Sequence, residues 1–244
     1  MKKYIAIILA LALAMCLFGC ANNPAPTDPV VDIYAKSEGT LTHEQYIAAD
    51  VDTEVTVEFF VQGTQSWWFD SEAGYGKITV YGEDDVGGYF AYEMKCAEED
   101  ASKLVAGTKI KVTGYKAEWE GEVEVIDASF EILEGSYIAE AADVTALLGT
   151  DDLIKHQNQF VAFKGVSIEA VEYKGGQAGN DVYVTVSYNG ASYNFCVESY
   201  LTGPDSDTYK AVEALNVGDV VDIEGFLYWY QGVNTHITAV KAAA

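Results

Sequence analysis

One stretch of this chain occurs twice. Leu104-Val-Ala-Gly107-Thr-Lys-Ile-Lys-Val-Thr-Gly114-Tyr115 aligns with Leu215-Asn-Val-Gly218-Asp-Val-Val-Asp-Ile-Glu-Gly225-Phe226 at an offset of 111 residues. The register continues without a gap through Trp119 and Tyr230, Gly121 and Gly232, Ile126 and Ile237, and Ala128 and Ala239. Repeated glycines and core positions at one fixed spacing mark two copies of a single supersecondary unit. A fold that suits one half must therefore suit the other.

Each copy reads as strands around a short helix. In the first, Val55, Val57, Phe59 and Val61 alternate, the period of two of a half-buried strand over 54–61. An aromatic loop spans 65–75. Strands over 77–81 and 89–94 flank a glycine-rich turn at 82–88. Acidic residues in its first turn favour a helix over 98–105, and strands over 109–115 and 122–132 complete the unit. A leading helix over 42–49 opens with Thr42 and Gln45 in capping-box spacing. The second copy has strands over 160–171, 182–188, 192–197, 219–227 and 233–240. A helix near 207–214 separates its third and fourth strands, and a helix or pair of turns over 143–154 leads in. The boundary falls near 135–140.

Three strands, a helix and two strands resemble the order of an OB-fold. The repeated Gly-(Thr/Asp)-x-(Ile/Val)-x-(Val/Ile)-x-Gly segment resembles the fourth strand of bacterial OB-fold proteins. The chain as a whole resembles the tandem OB-fold surface lipoproteins of Gram-positive gut bacteria. The resemblance implies a mainly-β protein of two tandem five-stranded barrels, 41–135 and 140–244, each with a short helix between strands three and four. A single larger β-sandwich is the competing architecture.

The N-terminus reads as an export signal. Lys2 and Lys3 precede an apolar run of 14 residues from Ile5 to Phe18, too short to span a bilayer comfortably. Leu17-Phe18-Gly19-Cys20 resembles a lipoprotein lipobox, with Phe18 bulkier than the usual residue. The resemblance implies a signal peptide over 1–19, a diacylglyceryl-type lipid on Cys20 and a protein held on the outer side of a bacterial cell membrane. Two acyl chains satisfy the requirement for stable anchoring. Residues 20–40, with Pro24, Pro26 and Pro29, read as a flexible tether.

Charge narrows the partners. The chain has 38 acidic residues against 14 lysines and no arginine, a formal net charge of −24. Nucleic-acid affinity comes largely from cations that neutralise phosphates, so a nucleic-acid partner is disfavoured. Single-stranded nucleic acid, the common ligand of OB-folds, is the last-ranked reading. No nucleophile, phosphate-loop or metalloprotease motif accompanies His43, His156 or His236. The expected protein is non-catalytic and takes no cofactor or metal. Cys96 and Cys196 lie in different copies and are expected as two separate, partly buried thiols, although an oxidising location permits a disulfide.

An OB barrel binds on its second and third strands, framed by the loops joining strands one and two and strands four and five. Aromatic residues crowd those loops. The candidates are Trp67, Trp68, Tyr75 and Trp119 in the first copy, and Tyr173, Tyr228, Trp229 and Tyr230 in the second. Aromatic faces stack on sugar rings, so a non-catalytic module for an extracellular glycan is the first reading. Trp and Tyr also dominate protein contacts, so an envelope scaffold that binds another protein is the second.

Overall fold

The computed structural model describes residues 32–243. The expected signal peptide, Cys20 and the first half of the expected tether lie outside the described residues. Twelve strands are described: β1 Glu54–Thr64, β2 Trp68–Asp70, β3 Tyr75–Glu83, β4 Gly88–Lys95, β5 Thr108–Trp119, β6 Glu122–Ser136, β7 Ala142–Asp143, β8 Phe160–Tyr173, β9 Val182–Tyr188, β10 Ala191–Val197, β11 Val220–Phe226 and β12 His236–Ala242. Three α-helices accompany them: α1 His43–Ala48, α2 Glu98–Ala101 and α3 Asp207–Glu213.

The pairings settle the topology. In the first half β1 pairs antiparallel with β3 and β5, β3 with β4, and β5 with β6; β4 meets β6 in parallel. In the second half β8, β9, β10, β11 and β12 repeat that scheme, with the parallel contact between β10 and β12. Counted within each unit, the circuit is 1-2-3-5-4-1 with one parallel contact, which is the OB-fold barrel. A helix sits between strands three and four of each. The chain is thus mainly β, with two tandem barrels rather than one sandwich.

Matched residues of the two copies occupy matched conformations. Gly107 and Gly218, at the turn into strand four, have φ of 93° and 94°, a region that L side chains rarely enter. The inward sets close each barrel: Val57, Phe59, Val61, Val80 and Val112 in one, Phe163, Val184, Val186, Phe195 and Ile223 in the other, all fully buried. Gly82 is required by that packing, because a Cβ there would lie 2.0 Å from the Phe59 ring.

Local details depart from the expectations in three places. The loop over 65–75 contains a strand, Trp68–Asp70, paired with Tyr75–Lys77. The helix expected over 98–105 ends at Ala101; its N-cap, Ala97, has no side chain to hold the first turn. The flexible tether does not extend to residue 40. From Ile33 onward it is strapped to the first barrel: Lys36 Nζ donates to the Glu58 carbonyl (2.5 Å) and to Asp84 Oδ2 (2.6 Å), and Lys109 Nζ donates to the carbonyls of Ile33 and Ala35. The strap explains why Glu58 and Phe60, on the outward face of β1, are 1% exposed. Helix α1 carries its expected capping box, and Lys116 Nζ closes its far end on the carbonyls of Ile47 and Ala49.

Candidate functional site

The strand-two and strand-three face of an OB barrel is the outward face of its hairpin. In the first barrel that face holds Tyr81, Glu83 and Phe90, and the second barrel covers them. Tyr81 and Phe90 are 0% and 2% exposed and pack with Phe226 in a core of their own, flanked by Phe160, Leu201 and Tyr228. The Tyr81 and Phe226 rings stack at 4.5 Å. Glu83 Oε2 accepts the Phe160 backbone N–H at 2.8 Å. The second barrel thus covers one end of that face; the other end, with Lys77, Tyr92 and Lys95, lines a recess of about 560 Å³, while the corresponding face of the second barrel carries a larger cleft.

That larger cleft measures about 910 Å³. Its floor is the outward side of β9 and β10, where Tyr183 lies opposite Cys196 and Thr185 opposite Asn194. The loop between β11 and β12 supplies Tyr228, Trp229 and Tyr230 as one wall. Tyr183 and Tyr230 are 39% and 47% exposed. The Tyr228 ring stacks on His236 at 4.3 Å.

The cleft is acidic. Glu172, Asp181 and Glu198 line it against one cation, Lys174, whose Nζ is 2.8 Å from Asp181 Oδ2. Burial pushes the Asp181 carboxyl up, but Lys174 and two donors from Ser199 outweigh it and hold the group below its ordinary value. Burial, aided by the charge of Asp181, pushes Glu198 up to about 7. Burial lowers His236 to about 3, so its imidazole is neutral, and raises the Cys196 thiol. Cys96 and Cys196 are free and buried. No group of three or more His, Cys, Asp or Glu side chains among the described residues is placed to hold a metal ion.

The eight loop aromatics do not form one cluster. Tyr228, Trp229 and Tyr230 share the second-barrel cleft. Trp67 and Tyr75 line a separate recess of about 350 Å³ with Phe69; the Trp67 indole is tucked in, donating to the Cys96 carbonyl at 3.0 Å. Trp68 is 43% exposed under the Lys77 ammonium. Trp119 is 58% exposed and lines neither cavity. The Tyr173 hydroxyl donates to Glu213 at 2.7 Å, outside the cleft. Loop composition did not point to Tyr183, Thr185, Asn194 and His236. The alternation Val182-Tyr-Val-Thr-Val-Ser carried the signal for the first two, since it sends every second residue outward.

No protein-family model matches the sequence, and no curated protein matches it significantly. Among solved structures, it is similar to a murine DNA-binding protein bound with double-stranded DNA, at 12% identity and a TM-score of 0.37 over 78% of this chain and 96% of that one. It is also similar to the p204 HINb domain, at 10% identity and a TM-score of 0.36 over 79% and 100%. A replication protein A heterotrimer bound to single-stranded DNA gives 10% identity and a TM-score of 0.31 over 78% and 49%. The OB-fold assignment rests on the strand pairings.

Proposed function

We propose that this protein is a non-catalytic surface lipoprotein that captures an uncharged extracellular glycan in the cleft of its second barrel. The observation that carries the reading is that the second barrel's strand-two and strand-three face forms a cleft of about 910 Å³, walled by aromatic rings and floored by hydrogen-bonding side chains. Sugar rings present apolar C–H faces to Tyr183 and Tyr230, while Thr185 and Asn194 offer partners for hydroxyls. The paired Lys174 and the surrounding carboxylates disfavour phosphates and the single-stranded nucleic acid that OB-folds often take. Lys2, Lys3, the apolar run and the lipobox support export and a lipid on Cys20.

Two measurements test the reading. Intrinsic tryptophan fluorescence, to which Trp229 in the cleft wall contributes, is titrated with a panel of neutral oligosaccharides, in the wild type and in Tyr183→Ala and Tyr230→Ala. Saturable binding that either substitution weakens about tenfold supports the site; silence across the panel, or a low-salt gel shift with single-stranded DNA, overturns it. Metabolic labelling with palmitate tests the anchor: incorporation that Cys20→Ser abolishes is the expected result.

A further inference from the structure

The imidazole in the cleft floor is wired to the other barrel. His236 is 7% exposed, and its Nδ1 lies 2.7 Å from the hydroxyl of Tyr81. Gln65 Nε2 already donates to that hydroxyl oxygen at 3.1 Å. Gln65 is itself held, with its backbone N–H on the Thr79 carbonyl. With the Gln65 amide donating, Nδ1 is the one remaining partner among the described residues for the Tyr81 proton. A neutral imidazole that accepts at Nδ1 must carry its hydrogen on Nε2. His236 lines the cleft, and Nε2 has no hydrogen-bond partner among the described residues. The groups facing this ring are Tyr81, Tyr228 and, further off, Asp181.

We propose that Tyr81 of the first barrel is a positioning residue that holds His236 as a neutral Nε2–H donor, and that the cleft thereby selects glycans bearing an uncharged oxygen acceptor, the carbonyl of an acetamido group. This rests on the cleft being the glycan site. An ammonium nitrogen has no lone pair for Nε2–H, a sugar hydroxyl is a weaker acceptor than an amide carbonyl, and an anionic acceptor meets Glu172, Asp181 and Glu198. A neutral carbonyl meets none of these objections, and the sugar that carries it can stack on Tyr183 or Tyr230. The docking of the two barrels thereby gains a role in recognition: the first barrel contributes no wall to the cleft but sets the hydrogen-bond polarity of its floor.

The test compares two probes on the full chain, a tetramer of N-acetylglucosamine and the deacetylated glucosamine tetramer. The acetylated probe is expected to bind at least about tenfold more tightly, the worth of one good hydrogen bond, although the deacetylated one is a cation facing a protein of net charge −24. Equal binding, or preference for the deacetylated probe, overturns acceptor selection and leaves glycan binding standing; no binding of either overturns both. Long-range proton–nitrogen NMR of the wild-type protein reads the tautomer directly, with the fold left intact. A protonated Nε2 that does not titrate between pH 5 and 8 is the expected signature, and a protonated Nδ1 overturns the wiring. In Tyr81→Phe the tautomer ratio is expected to shift toward Nδ1–H, together with loss of the preference for the acetylated probe.

Discussion

Gln231 and Glu120 occupy the same position in the two copies, 111 residues apart, and they bind each other. The Gln231 backbone N–H donates to the Glu120 carbonyl at 2.8 Å, and its side-chain amide donates to Glu120 Oε2 at 2.9 Å. Both residues have positive φ, 55° and 52° respectively, because both sit at the tip of the loop between strands four and five. The duplicated loops have become a mutual contact. Beside them, Trp229 packs its indole edge over Gly121, where a Cβ would come within 2.9 Å of the ring. The wall of the cleft is therefore braced from the first barrel.

Glu122 is the most deeply buried part of that brace. It is 0% exposed, and its Oε2 accepts the Trp229 N–H at 2.8 Å and the Gln157 amide at 3.3 Å. Burial holds its carboxyl well above the ordinary range, which favours the neutral acid. Glu122→Gln, a near-isostere of the neutral acid, is expected to change stability by less than about 0.5 kcal/mol, whereas Glu122→Ala leaves buried donors unpaired and costs about 2–3 kcal/mol. Urea denaturation of both variants checks the contrast, and equal losses would refute a neutral Glu122.

Three carboxyls predict the direction of a pH effect. Burial raises Glu83, Glu124 and Glu198 to about 7 from an ordinary 4.5. Between those values the folded state holds more protons than the unfolded state, so stability falls as pH rises through that window. Melting at pH 5 should therefore exceed melting at pH 8, by on the order of 2 kcal/mol after allowance for solvent screening. The depressed carboxyls Asp84 and Asp181 act in the opposite sense, but only below their ordinary value of 3.8. Glu83→Gln should flatten part of the slope in pH-dependent melts; an unchanged slope would remove Glu83 from the account.

Phe226 joins the barrels and belongs to strand four of the second. It is 3% exposed and lies against Tyr81 and Phe160. Phe226→Ala is expected to cost about 3–5 kcal/mol and to split a single unfolding transition into two. Calorimetry reads both effects. A single transition with a loss below about 1 kcal/mol would show that the barrels are coupled elsewhere.

Lys36 pins the strap. Its ammonium balances Asp84, which is 2% exposed, at 2.6 Å. Lys36→Met leaves that carboxylate without its cation, and the expected loss is about 3 kcal/mol. Hydrogen exchange over residues 33–40 should accelerate, and unchanged protection there would mean that Lys109 alone holds the strap.

Much of the architecture is legible in the sequence alone. The 111-residue offset and the two-residue alternation of Val55 to Val61 are local properties. A strand's inward set and a turn's glycine follow from backbone sterics wherever the strand packs. The capping box at Thr42 is local as well. The loop aromatics of the second barrel are legible as candidates, because Tyr228, Trp229 and Tyr230 stand where an OB barrel frames its ligand.

Only the tertiary structure decided which part of the first barrel's face is covered. Tyr81 and Phe90 stand at outward positions, and alternation alone leaves them in solvent; they are buried because Phe226 and Tyr228, more than 130 residues away, arrive to cover them. The tether reads as flexible from its prolines and small residues, yet its second half is held by Lys109, a residue of β5. His236 reads as an ordinary strand residue, and its link to Tyr81 spans 155 positions. Such contacts depend on how two already folded surfaces meet. That meeting is set by shape and by buried polar pairing across the whole molecule, for which no short window of sequence carries a period or a motif.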